Sequence, residues 1–256
     1  MKTYKGYLID LDGTMYRGEE KIEEASDFVK ALQERNIPYL FVTNNSSRKP
    51  EQVAQKLMSL DIPATPEQVF TTSQATANFI HERHANASIY MIGEEGLHAA
   101  LVEKGFTFSD ENPDFVVMGI DRDITYEKLA KACLAVRNGA TFISTNGDIA
   151  LPTERGMMPG NGSLTAVIAV STTVQPIFIG KPESIIMEQA LKVIGTAKED
   201  TVMVGDNYDT DILAGINAGM HTLLVHTGVT TVEKLTEYNI QPTHVVHNLT
   251  EWIPKM

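Results

Sequence analysis

Gly6-Tyr7-Leu8-Ile9-Asp10-Leu11-Asp12-Gly13-Thr14 is the stretch that decides the fold of this chain. Its first half is apolar and reads as a buried strand. Its second half carries two carboxylates two residues apart, followed by a glycine that permits a sharp turn. Asp-Gly is a common turn pair, but in an open parallel sheet ligands bind beyond the carboxyl ends of strands. Outward from this stretch, residues 21–35 place Ile22, Ala25, Phe28, Val29 and Leu32 at helical spacing. Residues 37–42 (IPYLFV) read as a second strand. Pro50 suits the first turn of a helix carrying Val53, Ala54, Leu57 and Leu60.

The same alternation returns toward the carboxyl end. Residues 177–179 form a short predicted strand. Pro182 opens a predicted helix with Ile186, Met187, Ala190, Leu191 and Ile194 on one face, and Gly195 marks its stop. A strand over 201–204, a helix over 212–218 ending at Gly219 and a strand over 222–225 follow. This order predicts an α/β, Rossmann-like parallel sheet with helices on both faces. Residues 76–177 have their own strands at 88–92, 115–119 and 141–144, and a glycine- and proline-rich loop at 152–162. They read as a smaller α/β domain inserted between 1–75 and 178–256.

Composition narrows the function. The chain has 256 residues, 43% hydrophobic and 21% charged, which excludes a disordered or low-complexity class. A net charge of −12 disfavours nucleic acid and anionic lipid as general partners. The single cysteine, Cys133, excludes an intrachain disulfide framework and a Cys-rich zinc site, and reads as a small apolar helix residue. No run reaches the roughly 20 apolar residues needed to cross a membrane. Asp10 and Asp12 interrupt the amino-terminal apolar stretch, so it is not a signal peptide and the expected location is the cytoplasm.

Three further polar clusters fall near predicted strand ends. Thr43-Asn44-Asn45-Ser46-Ser47 offers hydroxyl, amide and backbone donors for an anion, and reads equally as a capping loop. Gly180-Lys181-Pro182 puts a lysine before a helix start, where an anion is favoured, although by itself it reads also as an ordinary solvated surface lysine. Gly205-Asp206-Asn207-Tyr208-Asp209-Thr210-Asp211 carries three aspartates in seven residues, which suits a hard cation bound by oxygen and reads equally as a polar loop and helix cap with Asp209 solvated. A phosphate dianion approaching Asp10 and Asp206 meets like charges, each pair costing about 4 kcal/mol at about 4 Å and an effective dielectric near 20. One lysine does not cancel that, so the inventory calls for a divalent ion such as Mg²⁺. The paired histidines His81 and His84, and His244 and His247, read as solvated or packing groups. Met157 and Met158 read as packing residues.

The set DLDGT, TNNSS, GKP and GDNYDTD closely resembles the four motifs of the haloacid dehalogenase superfamily. Residues 142–163 resemble the inserted type C2 cap of its NagD-like, p-nitrophenyl phosphatase-like subgroup. The resemblance implies a Mg²⁺-dependent phosphatase of small phosphate monoesters such as nucleotides, sugar phosphates and p-nitrophenyl phosphate. It implies Asp10 as nucleophile and metal ligand, and Asp12 as general acid and base with its carbonyl on the metal. It further implies Thr43, Asn44 and Lys181 on the phosphate, Asp206 on Mg²⁺, and Asn207 and Asp211 in support. Asn146, Asp148 and Arg155 are the implied cap contacts to substrate. Gly147 departs from the proline that relatives often carry there. The implied partner is a small phosphorylated metabolite, and a homo-oligomer is compatible with the sequence without being signalled by it. Two other readings compete: a receiver-like phospho-aspartate signalling module, about half this length and lacking the acid at 12, and a catalytically silent protein of the same fold.

Overall fold

The computed structural model describes residues 2–256, which fold as two compact units. The first comprises the chain up to Thr43, Pro50–Phe70 and Lys181–Met256; the second comprises Asn44–Lys49 and Thr71–Gly180.

The first unit is built on a six-stranded sheet. Its order is His244–Val246, His221–Val225, Thr201–Gly205, Gly6–Ile9, Tyr39–Thr43, Val69–Thr71. Gly6–Ile9 is central and pairs in parallel with Thr201–Gly205 on one side and Tyr39–Thr43 on the other. Every residue of Gly6–Ile9 and of Thr201–Gly205 is buried, as expected of parallel strands covered on both faces. The register sets Ile9 beside Val204 and Phe41. Asp10, Gly205-Asp206 and Val42-Thr43 therefore leave the sheet at one edge.

The helix Glu23–Glu34 buries Ala25, Phe28, Val29 and Leu32, the face that the sequence spacing selects. Glu23 and Glu24 lie in its first turn, where negative charge complements the helix dipole. Pro50 is the first residue of Pro50–Ser59, whose Val53, Ala54 and Leu57 join the same core. The helix predicted from Pro182 begins instead at Ser184. Glu183 is extended, and the Pro182 carbonyl accepts from Asn217 Nδ2 at 2.9 Å rather than from an intrahelical N–H. The helix stops at Gly195, with φ +75°. The helix predicted over 212–218 is Leu213–Asn217, preceded by one wide turn at Tyr208–Ile212.

The second unit has a five-stranded parallel sheet in the order Ile177–Phe178, Thr141–Ser144, Phe115–Met118, Ser88–Ile92, Thr107–Phe108. Tyr90, Ile92, Val116, Met118, Phe142 and Ile168 fill its core, with Cys133 of the helix Tyr126–Arg137 packed against them. Two sequence expectations need correction here. The strand at 177–179, read as part of the same sheet as Asp10, pairs with Thr141–Ser144 of this second sheet. An apolar triplet looks the same in either sheet, because periodicity reports burial and not pairing. The predicted loop at 152–162 is an antiparallel hairpin, Ala150–Thr153 with Gly156–Pro159, followed by the start of the helix Asn161–Thr172. Both strands of a two-stranded ribbon are edges, so Pro152 and Pro159 are tolerated there.

Phe28 meets Tyr7 edge-on with ring centroids 5.7 Å apart and is fully buried. Phe28→Ala is expected to cost about 3–5 kcal/mol of stability, read by urea unfolding. Met58→Ala, on the exposed side of Pro50–Ser59, should change it by less than about 0.5 kcal/mol. Equal losses for the two would contradict this core.

Candidate active site

At the edge where the central strands end, Asp10 follows Ile9 directly, its N–H donating to the Val204 carbonyl at 2.9 Å. The chain then turns at Gly13, with φ +91°. Lys181 is 3% exposed, and its ammonium donates to Asp10 Oδ1, to Asp211 Oδ1 at 2.7 Å and to the Val42 carbonyl at 3.2 Å. All three ammonium protons are thereby directed. The second oxygen of Asp211 accepts from the Asn207 N–H at 3.1 Å. Asp206 is fully buried and accepts at both oxygens: from Thr14 Oγ1 at 3.0 Å and from the Val229 N–H at 2.7 Å. Asp10, Asp206 and Asp211 each bring a carboxylate oxygen within 4.8 Å of the others.

The electrostatics follow from burial. Asp10 is held well above the usual carboxylate range, by burial first and the Asp211 charge second, with Asp206 adding and Lys181 opposing. Asp206 is pushed up to about 6 by burial and then by Asp211, with the Val229 N–H and Thr14 hydroxyl partly offsetting the shift. Burial would lower the Lys181 ammonium, but Asp10 and Asp211 outweigh it and hold the group above its usual range. Three buried carboxylates face one ammonium, so the ionised cluster keeps an excess of negative charge. An all-oxygen donor set of this charge suits a hard divalent cation such as Mg²⁺.

The other predicted residues fall in different places. Asp12 is exposed at the turn, with the Gly18 N–H 3.4 Å from its Oδ1. Thr43 ends its strand at the same edge as Asp10. Asn207 caps the wide turn through its side-chain oxygen, which accepts from the Asp209 N–H at 3.1 Å. In the second unit, Asn44 lies with Asn146 and Asp148. Its carbonyl accepts from Asn146 Nδ2 at 2.9 Å, and its Nδ2 is 3.3 Å from Asp148 Oδ2. Arg155 stands instead at the exposed hairpin turn, its N–H on the Thr153 hydroxyl at 3.2 Å. Met157, expected to pack, is 68% exposed on the same hairpin. His244 packs on Trp252 and bonds the Tyr4 hydroxyl at 2.7 Å, far from any ligand role.

Sequence reading gave no role to Thr14 or to Thr227-Gly228-Val229-Thr230. The second run directly follows the strand His221–Val225 and His226. Its signal was available: it is one more polar cluster at a strand end of the same sheet.

Comparison with known proteins identifies the family. The family model described as haloacid dehalogenase-like hydrolase matches residues 7–107, and a HAD-hydrolase-like model matches 178–252. A 5'-nucleotidase, YutF, of Bacillus subtilis (strain 168) is 70% identical over 254 residues, 99% of each chain. An acid sugar phosphatase of Staphylococcus aureus (strain USA300) is 53% identical, over 100% of this chain and 99% of that protein. A solved single-mutant thermostable NPPase from Geobacillus stearothermophilus is 67% identical, with a TM-score of 0.94 over 98% of this chain and 99% of that one. A 4-nitrophenylphosphatase from Thermotoga maritima, at 35% identity, has a TM-score of 0.92 over 98% and 97%.

The raised carboxyls have a measurable consequence in metal-free protein. Folded Asp206 titrates at about 6 against 3.8 in its ordinary state, so between these values the native chain holds a proton that the unfolded chain has released. Its contribution to stability therefore falls as pH rises through that window. Melting of EDTA-treated protein should show the parent losing stability relative to Asp206→Asn across the window. A parent that gains relative to the variant there would contradict the assignment.

Proposed function

The chain belongs to the haloacid dehalogenase-like hydrolases and is a phosphoric monoester hydrolase, and from that premise we propose that it cleaves small phosphate monoesters through a phosphorylated Asp10, with Mg²⁺ as cofactor. Nucleotides, sugar phosphates and p-nitrophenyl phosphate are the proposed substrate class, and the cytoplasm is the proposed location. What supports this reading most is the buried ammonium of Lys181, bonded to both Asp10 and Asp211 beside Asp206.

Asp10 attacks phosphorus through a carboxylate oxygen, and the ester oxygen leaves with the bonding pair. Asp12 gives that oxygen its proton. The Asp12 carboxylate then takes a proton from water, whose oxygen attacks the phosphorus of the aspartyl-phosphate. Inorganic phosphate departs and the Asp10 carboxylate is restored. Exposure of Asp12 suits this role, because it must meet both leaving group and water.

Lys181 holds Asp10 in one orientation and offers positive charge to the phosphate; Asp211 holds Lys181. Thr43 and Asn44 donate to phosphate oxygens. Asp10 and Asp206, with the Asp12 carbonyl, are the residues that would hold Mg²⁺, and Asp211 is committed to Lys181 and the Asn207 N–H. Bound there, the ion supplies charge that offsets repulsion between the carboxylates and the incoming dianion. The second unit acts as a cap that sets substrate choice, with Asn146 and Asp148 its leading contact candidates and Arg155 a further one.

Asp10→Asn should abolish p-nitrophenyl phosphate turnover in a folded protein; near-parental turnover would remove Asp10 as nucleophile. Thorough chelation with EDTA should abolish activity, and Mg²⁺ should restore it. Full activity after chelation would remove the metal from the mechanism.

A further inference from the structure

The carboxylate of Asp206 lies in a slot walled by backbone. A Cβ on Gly13 would lie 2.4 Å from Asp206 Oδ2, and one on Gly228 would lie 1.9 Å from the same oxygen and 2.9 Å from the Gly13 Cα. Neither position has room for a methyl group. The carboxylate is thus gripped from the loop after Gly6–Ile9 on one side and from the segment after His221–Val225 on the other. Thr14 Oγ1 donates to Oδ1 at 3.0 Å and the Val229 N–H to Oδ2 at 2.7 Å. The Thr230 N–H closes on the Asp206 carbonyl at 3.1 Å.

The two sides of the slot are also tied to each other. Thr227 Oγ1 donates to the Gly13 carbonyl at 2.7 Å, and Arg17 Nε donates to the Thr227 carbonyl at 2.6 Å. Thr230 Oγ1 accepts from the Tyr208 N–H at 2.8 Å, and its carbonyl lies 2.8 Å from His226 Nδ1. We propose that Thr227-Gly228-Val229-Thr230 is a strap that positions Asp206 as a cation ligand, with Thr227 and Thr14 as positioning residues. The proposal rests on the reading that Asp206 holds Mg²⁺.

The physical reason is preorganisation. A carboxylate with one fixed donor on each oxygen cannot rotate freely. Its remaining lone pairs keep one direction before any cation arrives, so less ordering is needed on binding. The Thr227 hydroxyl donates to the Gly13 carbonyl and not to the Asp206 carboxylate. It acts only by closing the slot, so its loss should be read in metal affinity and not in a chemical step.

The test is calorimetric titration of Mg²⁺ into the full chain. Thr227→Val should weaken Mg²⁺ binding about tenfold or more, whereas Thr227→Ser, which keeps the hydroxyl, should bind as the parent does. Thr14→Val, which removes the donor to Oδ1, should weaken binding likewise and guards against a Thr227 variant that does not fold. The Mg²⁺ concentration giving half-maximal turnover should rise in step, in variants that remain folded without metal although each loses one buried hydrogen bond. Folded Val variants that bind Mg²⁺ as tightly as the parent would overturn the strap while leaving the metal reading intact. A parent that binds no Mg²⁺ would overturn both.

Discussion

The site depends on one buried ammonium. Lys181 lies between Asp10 and Asp211, almost out of solvent, with each of its protons directed at an oxygen. Without it, the carboxylates at this edge would repel one another in a medium that screens poorly. With it, Asp10 is oriented and Asp211 is neutralised. Asp206 is held by the Thr14 hydroxyl and the Val229 N–H, and it feels the lysine's charge. The division of labour among three similar side chains is therefore set by which of them the lysine touches.

Backbone pairing brings the lysine and its partners together. Residues 10, 43 and 206 are far apart in number, yet parallel register ends their strands at one edge. The strand before Lys181 belongs to the second unit's sheet, so strand register does not place the lysine as it places the others. Its place is fixed by the short extended segment ahead of Ser184 and by the Asn217 bond to the Pro182 carbonyl. That explains why a lysine read as preceding a helix start is in fact held by side-chain ion pairs, two residues short of the helix.

The competing readings part company on features of the second unit and of the relatives. A receiver module has no counterpart to a five-stranded sheet with its own hydrophobic core, and full-length phosphatase relatives leave no place for it. Within that unit the sequence pattern found Ser88–Ile92, Phe115–Met118 and Thr141–Ser144, but it missed Thr107–Phe108, assigned 177–179 to the other sheet and misread the hairpin. Apolar strands announce themselves through burial, whereas a proline-bearing ribbon carries loop composition and gains its shape only from cross-strand pairing.

The sequence by itself determined the alternation of strands and helices, the buried faces of Glu23–Glu34 and Pro50–Ser59, and the residue types that gather at the strand ends. These are local properties, written in spacing of three to four and in the chemistry of Asp, Lys and Thr. Only the tertiary structure decided which sheet the segment before Lys181 joins, which aspartate the lysine binds, and that Thr14 and the run at 227–230 close around Asp206. Those are pairings between residues 23 to 192 positions apart. No periodicity records them, because they exist only once the chain has folded and burial has made each unpaired charge costly.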